Sequence, residues 1–206
     1  MFILQIIVNV QKLNAFNPSL TLKTGVNFNQ YDFSKKYSEK FDKFPYYSSN
    51  PSLIVGLSKE INLNNKFYIV NDLYYKYTNL KYSIYTTAEE IIESDMKCHY
   101  IIFSSMTGFR FLKIVDFLIG ADFGKRIQGY LDVESKINYQ KYSYKITDKL
   151  PNIDVSLSFG LSKKIDYKSF EVTFEIKYLV GLTKYKYPTI GEWCNHGPQF
   201  IVGFSL

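Results

Sequence analysis

Alanine is almost absent from this chain of 206 residues, occurring only as Ala15, Ala88 and Ala121. Losing the best helix former argues against a helical bundle. Arginine is as scarce, with only Arg110 and Arg126, although lysine lifts the net charge to +6. The lysines are spread along the chain without a basic cluster, so no nucleic-acid partner is expected. No stretch reaches 18 consecutive apolar residues, which excludes an ordinary transmembrane helix. A membrane barrel stays open, because its strands need only about 9–11 residues of alternating character. With 46% hydrophobic and 21% charged residues the chain is not of a disordered class.

What the chain has in plenty is aromatic residues, 18% of the total, with 19 Tyr and 17 Phe. These favour strands, and from Leu20 onward the dominant period is two. In residues 170–183, Phe170, Val172, Phe174, Ile176, Tyr178, Val180 and Leu182 share one face, with Glu171, Thr173, Glu175 and Lys177 on the other. Similar alternation runs through 20–31, 52–61, 117–126, 154–162 and the last ten residues. Residues 67–78 are aromatic on both faces and are oriented by Asp72 and Lys76, taken to point inward. Residues 97–110 carry a continuous Tyr100-Ile101-Ile102-Phe103 run that leaves their facing open. Short connections are expected at 62–66, 111–116 and 164–169, and long ones at 33–51, 83–96, 132–151 and 185–197. Alternating short and long connections are the habit of membrane barrels. The expectation is therefore an all-β, eight-stranded antiparallel up-and-down transmembrane β-barrel with short periplasmic turns and long extracellular loops, spanning residues 20–206.

Residues 1–19 are set apart as a signal-peptide remnant or a periplasmic extension. An apolar core over residues 2–10 and a small residue, Ala15, suit a secretory signal, but the basic n-region is missing.

The polar face decides between a membrane and a soluble barrel. It is rich in small residues such as Gly25, Gly56, Gly120, Gly160, Ser156 and Ser158, which suit the narrow interior of eight strands. Its charges are of both signs: Glu60, Asp72, Lys76, Asp122, Arg126, Asp154, Glu171, Glu175 and Lys177. A closed polar interior requires such a mixed network, since buried charges must pair. Arg126 and Asp154 are expected to face each other across one hairpin. The alternative is a soluble periplasmic ligand-binding β-barrel with its apolar face inside.

Three further features resemble the PorT-like outer-membrane β-barrel proteins of Bacteroidota. They are Gly56-Leu57-Ser58-Lys59-Glu60, Tyr178-Leu179-Val180-Gly181-Leu182-Thr183, and Gly197-Pro198-Gln199-Phe200-Ile201-Val202-Gly203-Phe204. The resemblance covers about residues 20–206 and implies the outer membrane and a role in secretion. It implies no catalytic reaction, and no functional residue is carried over. The sequence departs from the usual pattern at its end, Leu206, where barrels of this kind carry an aromatic.

No constellation for catalysis stands out. HExxH and GxxxxGK[ST] are absent. The only histidines are His99, with Ser104 and Asp95 nearby in sequence, and His196. Glu171 and Glu175 share a face but lie about 13 Å apart along a strand. No enzyme activity and no cofactor are expected. The first long loop holds Lys35, Lys36, Lys40 and Lys43 beside Phe41, Phe44, Tyr46 and Tyr47. Such a loop suits outer-membrane lipid, lipopolysaccharide phosphates or another envelope protein; the periplasmic end is the other surface open to a protein partner. Cys98 and Cys194 are both expected at the outer rim. A disulfide, two free thiols, or a metal site completed by His99 and His196 are the three states open to them.

Overall fold

The computed structural model describes residues 20–33, 46–85, 91–111, 114–135, 140–147, 150–167, 170–187 and 191–205. The segment 1–19 and the lysine-rich stretch 34–45 lie outside the described residues. Every described element is a strand: β1 (Leu20–Asn27), β2 (Gln30–Phe33), β3 (Tyr46–Asn62), β4 (Phe67–Tyr85), β5 (Ile91–Phe111), β6 (Val115–Ser135), β7 (Lys141–Lys145), β8 (Ile153–Tyr167), β9 (Phe170–Gly181), β10 (Tyr185–Tyr187) and β11 (Gly191–Ser205). Eight of them close a ring in the order β1-β3-β4-β5-β6-β8-β9-β11, with β11 pairing back onto β1. All pairs in the ring are antiparallel.

The register fixes the barrel's shape. From Thr21 the paired row runs through Ser58, Asp72, Ser104, Asp122, Ser156 and Gly181. One step beyond the His196–Val180 pair, Gly181 lies beside Asn195. Directly across the seam, however, Thr21 pairs with Ser205. The circuit thus returns ten residues away from its start (205 less 195). A stagger of that size over eight strands tilts them by roughly 40° from the barrel axis. Each row climbs from the periplasmic end at β1 to the outer end at β11.

The apolar side chains face outward. Leu73, Ile101, Phe103, Phe117, Ile119, Phe123, Leu157, Phe159, Phe174, Ile176 and Phe200 are all exposed, while Lys23, Asp72, Lys76, Glu175 and Lys177 are buried. This is the inverse of a water-soluble barrel, so the soluble alternative falls. On β4 the outward apolar and aromatic span runs from Phe67 to Tyr77, and on β5 from Phe111 to Ile101, interrupted only by small polar residues and Asn71. With the tilt, ten-residue spans make a band roughly 25 Å tall. The two ambiguous strands are now placed. Tyr68, Tyr74, Asp72 and Lys76 point inward from β4, and Cys98, Tyr100, Ile102, Ser104 and Met106 from β5.

All four expected long loops are shorter than the sequence suggests: of 33–51, Phe33 ends β2 and residues from Tyr46 onward belong to β3. Residues 83–96 are mostly β4 and β5, which pair as far as Tyr85–Ile91. Residues 132–151 contain the end of β6 and all of β7, and 185–197 contain β10 and the start of β11. Beyond the membrane the backbone still needs hydrogen-bond partners, and extended hairpins supply them. Both strand faces then meet water or plug the mouth, so the two-residue period fades and the sequence reads as loop.

At the periplasmic end the β3–β4 turn is tight because the Asn64 Oδ1 accepts from the backbone N–H of Lys66 and Phe67 at 2.8 and 2.9 Å. Near the outer end β11 changes partner from β1 to β2 around Gly197, whose φ is +146°. A Cβ there would lie 2.0 Å from the Phe28 carbonyl, so only glycine fits.

Candidate functional site

All nine charges assigned to the interior do face inward, but the structure sorts them into three groups at different depths. At the periplasmic mouth, Glu60 binds Arg110 Nη2 and Lys164 Nζ, both at 2.7 Å, and Lys164 reaches Glu171 at 3.3 Å. Arg110 also lies over the Tyr68 ring, 4.7 Å from its centre, while the Tyr68 hydroxyl donates to Asp116 at 2.8 Å. Of these, Glu60, Tyr68, Lys164 and Glu171 line an open cavity of about 440 Å³.

Its floor is a quartet in mid-barrel. Lys23 Nζ lies 2.9 Å from Asp72 Oδ1 and 2.6 Å from Glu175 Oε1. Lys177 Nζ lies 3.2 Å from Asp72 Oδ2 and 2.9 Å from Glu175 Oε2. Two ammonium groups and two carboxylates leave no net charge, which is what burial without water requires. The Tyr74 hydroxyl donates to Asp72 as a fifth member.

Above the quartet, Lys76 is buried to 3% exposure and makes no ion pair within 4 Å among the described residues. It shares a chamber with Asp122 and Asp154. Ser158 donates to Asp122 at 3.3 Å, whereas Asp154 Oδ1 and Asn195 Oδ1 have no hydrogen-bond partner. The expected Arg126–Asp154 pair is not formed. The register sets Asp154 opposite Gly124, and Arg126 turns instead to the carbonyls of Thr147 and Leu150 and to Asn152 Oδ1 at 3.3 Å. Arg126 thereby pins the segment entering β8, a use the strand pattern could not show because it depends on the loop's path.

The outer end of the lumen is apolar. Tyr74, Tyr100, Ile102, Leu131, Ile146, Leu150, Tyr185 and Trp193 form one buried cluster, with Tyr185 and Trp193 stacked at 5.6 Å. The interior is thus not filled by small residues alone; tyrosines reach in from strands that look aromatic on both faces. Sequence reasoning also missed Lys23, Arg110 and Lys164. Lys23 had a readable signal, standing between Thr21 and Gly25 on the polar face of the first strand.

The two cysteines are free. Cys98 is buried in the lumen wall, and Cys194 lies on the face of β11 opposite Trp193, so of the three states open to them the two free thiols are the one seen. Among the described residues no group of three or more His, Cys, Asp or Glu gathers around a point that could take a metal. His99 faces out and Ser104 faces in, so these two do not assemble into a catalytic set.

On the outer wall, beyond the apolar band, Lys97 binds Asp132 at 2.6 Å and Ser143 donates to the other carboxylate oxygen at 2.6 Å. The hydrogen bond from Lys97, then that from Ser143, holds the Asp132 carboxyl below the usual carboxylate range.

The chain is similar to several solved structures. Ail, the attachment invasion locus protein of Yersinia pestis, is 14% identical with a TM-score of 0.42, over 90% of this chain and 95% of that one. Neisserial surface protein A is 12% identical with a TM-score of 0.45, over the same shares. The transport unit of the autotransporter AIDA-I from Escherichia coli is 7% identical with a TM-score of 0.46, over 96% of each chain. No curated protein matches. Residues 16–187 match the family described as "Outer membrane protein beta-barrel domain". With a closed ring that presents a band of apolar side chains on its outer wall, the chain belongs to the outer membrane protein beta-barrel domain family and resides in the bacterial outer membrane.

Proposed function

We propose that this protein is a non-enzymatic structural or interaction component of the outer membrane, acting through its rim and loops as an accessory subunit of an envelope secretion or assembly machine. The observation that carries this reading is the filling of the lumen. A charged quartet closes its middle and an aromatic cluster closes its outer end, so the interior offers little to a passing solute. What projects is a set of hairpins longer than the membrane needs, β4–β5 and β6–β7 above all. Rigid scaffolds presenting such segments are suited to binding. Lipid and lipopolysaccharide are the partners of its wall, and other envelope proteins those of its outer hairpins or its periplasmic end.

Affinity capture from membranes solubilised in mild detergent tests the reading. The expected result is a reproducible set of envelope proteins that is lost when residues 132–145 are replaced by a short turn. A barrel recovered alone in wild-type form sinks the interaction role. Ionic conductance across a planar bilayer containing the protein sinks the closed lumen.

A further inference from the structure

The outer wall of β4, β5 and β6 carries a cation at the upper border of the apolar band. Lys125 on β6 pairs in register with Ile101 on one side and Ile153 on the other, and its side chain is exposed. Below it lie the outward-facing Phe123 and Phe103. Above it Ile127 is still exposed before the wall turns polar, and the lysines there already have carboxylates: Lys97 holds Asp132 at 2.6 Å and Lys81 is 3.9 Å from Asp95. Lys125 has no ion pair or hydrogen bond among the described residues.

Two residues from Ile101 on β5 is His99, which pairs with Gln128 across a register shift in the β5–β6 ladder. Its Nδ1 lies 2.5 Å from the Tyr75 hydroxyl, and the Tyr77 ring is 5.1 Å away. The hydroxyl and Nδ1 share one hydrogen, and in the tautomer where Tyr75 supplies it, Nε2–H is left to donate a hydrogen bond to an acceptor. Lys125 and His99 thus stand on adjacent strands above the apolar wall of Phe103 and Phe123. Only a lipid offers an anion and hydrocarbon in that order.

We propose that this patch binds the phosphate of an outer-leaflet lipid. Lys125 pairs with the phosphate charge, His99 Nε2–H donates to a phosphate oxygen, and the acyl chains run down over Ile101, Phe103 and Phe123. The site rests on the outer-membrane barrel and gives its lipid partnership a location.

The test uses the full chain refolded into phosphatidylcholine nanodiscs doped with phosphatidic acid, with retained lipid counted by native mass spectrometry. Lys125→Gln is expected to lower retained phosphatidic acid about fivefold, and Lys125→Gln with His99→Gln further still. Lys145→Gln, which removes an equal charge from exposed β7, should leave retention unchanged. Wild-type retention in Lys125→Gln, or an equal loss in Lys145→Gln, overturns the site. Failure of the wild-type protein to insert at all would instead strike the barrel reading, and heat-modifiable mobility on gels reads that separately.

Discussion

Lys23 and Glu175 stand 152 residues apart on strands that are not neighbours, yet their side chains meet at 2.6 Å across the barrel's axis. β11 lies between β1 and β9, so no hairpin or turn dictates this contact; only ring closure does. The pair belongs to a neutral quartet, and that sets its response to mutation. Glu175→Gln alone leaves two lysines facing one carboxylate and should cost about 3–5 kcal/mol. Removing Lys23 and Glu175 together leaves Lys177 and Asp72 paired, and should cost less than the sum of the single changes. Denaturant unfolding of the four proteins in lipid vesicles measures the coupling; additive costs would show the quartet not to act as a unit.

Tyr68 and Gly108 make a second test. The Tyr68 ring covers Gly108 so closely that an added Cβ would sit 2.1 Å from its Cζ. Gly108→Ala must push the ring off its Asp116 acceptor and should destabilise by roughly 1–3 kcal/mol. In a Tyr68→Ala background the same change should be far milder. Equal costs in both backgrounds would remove this contact from the explanation.

Depth on the lipid face gives the third prediction. Phe159 is central among the outward residues of β8 from Ile153 to Ile165, whereas Phe174 pairs with Lys163 nearer the periplasmic border. Phe159→Lys should cost about 2–4 kcal/mol, and Phe174→Lys less. Folding yields and unfolding midpoints in vesicles rank the two; the reverse order would mean the bilayer sits elsewhere on the wall.

Acid should loosen the β6–β7 hairpin. Because Asp132 is held below the usual carboxylate range by Lys97 and Ser143, its contribution is present above that range and fades as pH falls through it. Limited proteolysis of the vesicle-bound protein should cut this hairpin faster at about pH 3 than at about pH 7, using an acid-tolerant and a neutral protease each calibrated on unfolded substrate. In Asp132→Asn the hairpin should be open at both, and a variant still protected only at neutral pH would exonerate the carboxylate.

Thiol chemistry separates the cysteines. Both are free, but Cys98 is buried in the lumen wall and Cys194 only half-buried. A maleimide should label Cys194 in the folded barrel and Cys98 only after denaturation, without reductant. No labelled thiol in the unreduced, denatured protein would restore the disulfide.

The ring was legible in the sequence because lipid enforces one strict rule, apolar outward at every second residue. Phe170 through Leu182 obey it without exception, and the facing of β9 follows from it. Where a second demand competes, the pattern blurs. Tyr68 and Tyr74 fill the lumen while Tyr75 and Tyr77 meet the membrane, so β4 is aromatic on both sides and only Asp72 and Lys76 reveal its inner face. Contacts between neighbouring strands depend on register, which alternation does not carry; this is why Asp154 came to lie opposite Gly124 and not beside Arg126. Contacts across the axis, such as Lys23 with Glu175, depend on the stagger of the whole ring and lie beyond any local signal.

That stagger also turns the barrel wall into a depth gauge. Residues hydrogen-bonded side by side are not level in the bilayer; each step around the ring rises by roughly 3 Å at this tilt. The row that begins at Thr21 near the periplasm arrives at Asn195 near the cell exterior after a single circuit, and the outward row beside it climbs in the same way from Leu20 to His196. One probe moved along that outward row, from Asn71 to Ser105, Ala121, Leu157 and Val180, would therefore sample roughly 12 Å of depth, about half of the apolar band, without leaving a single line of hydrogen bonds.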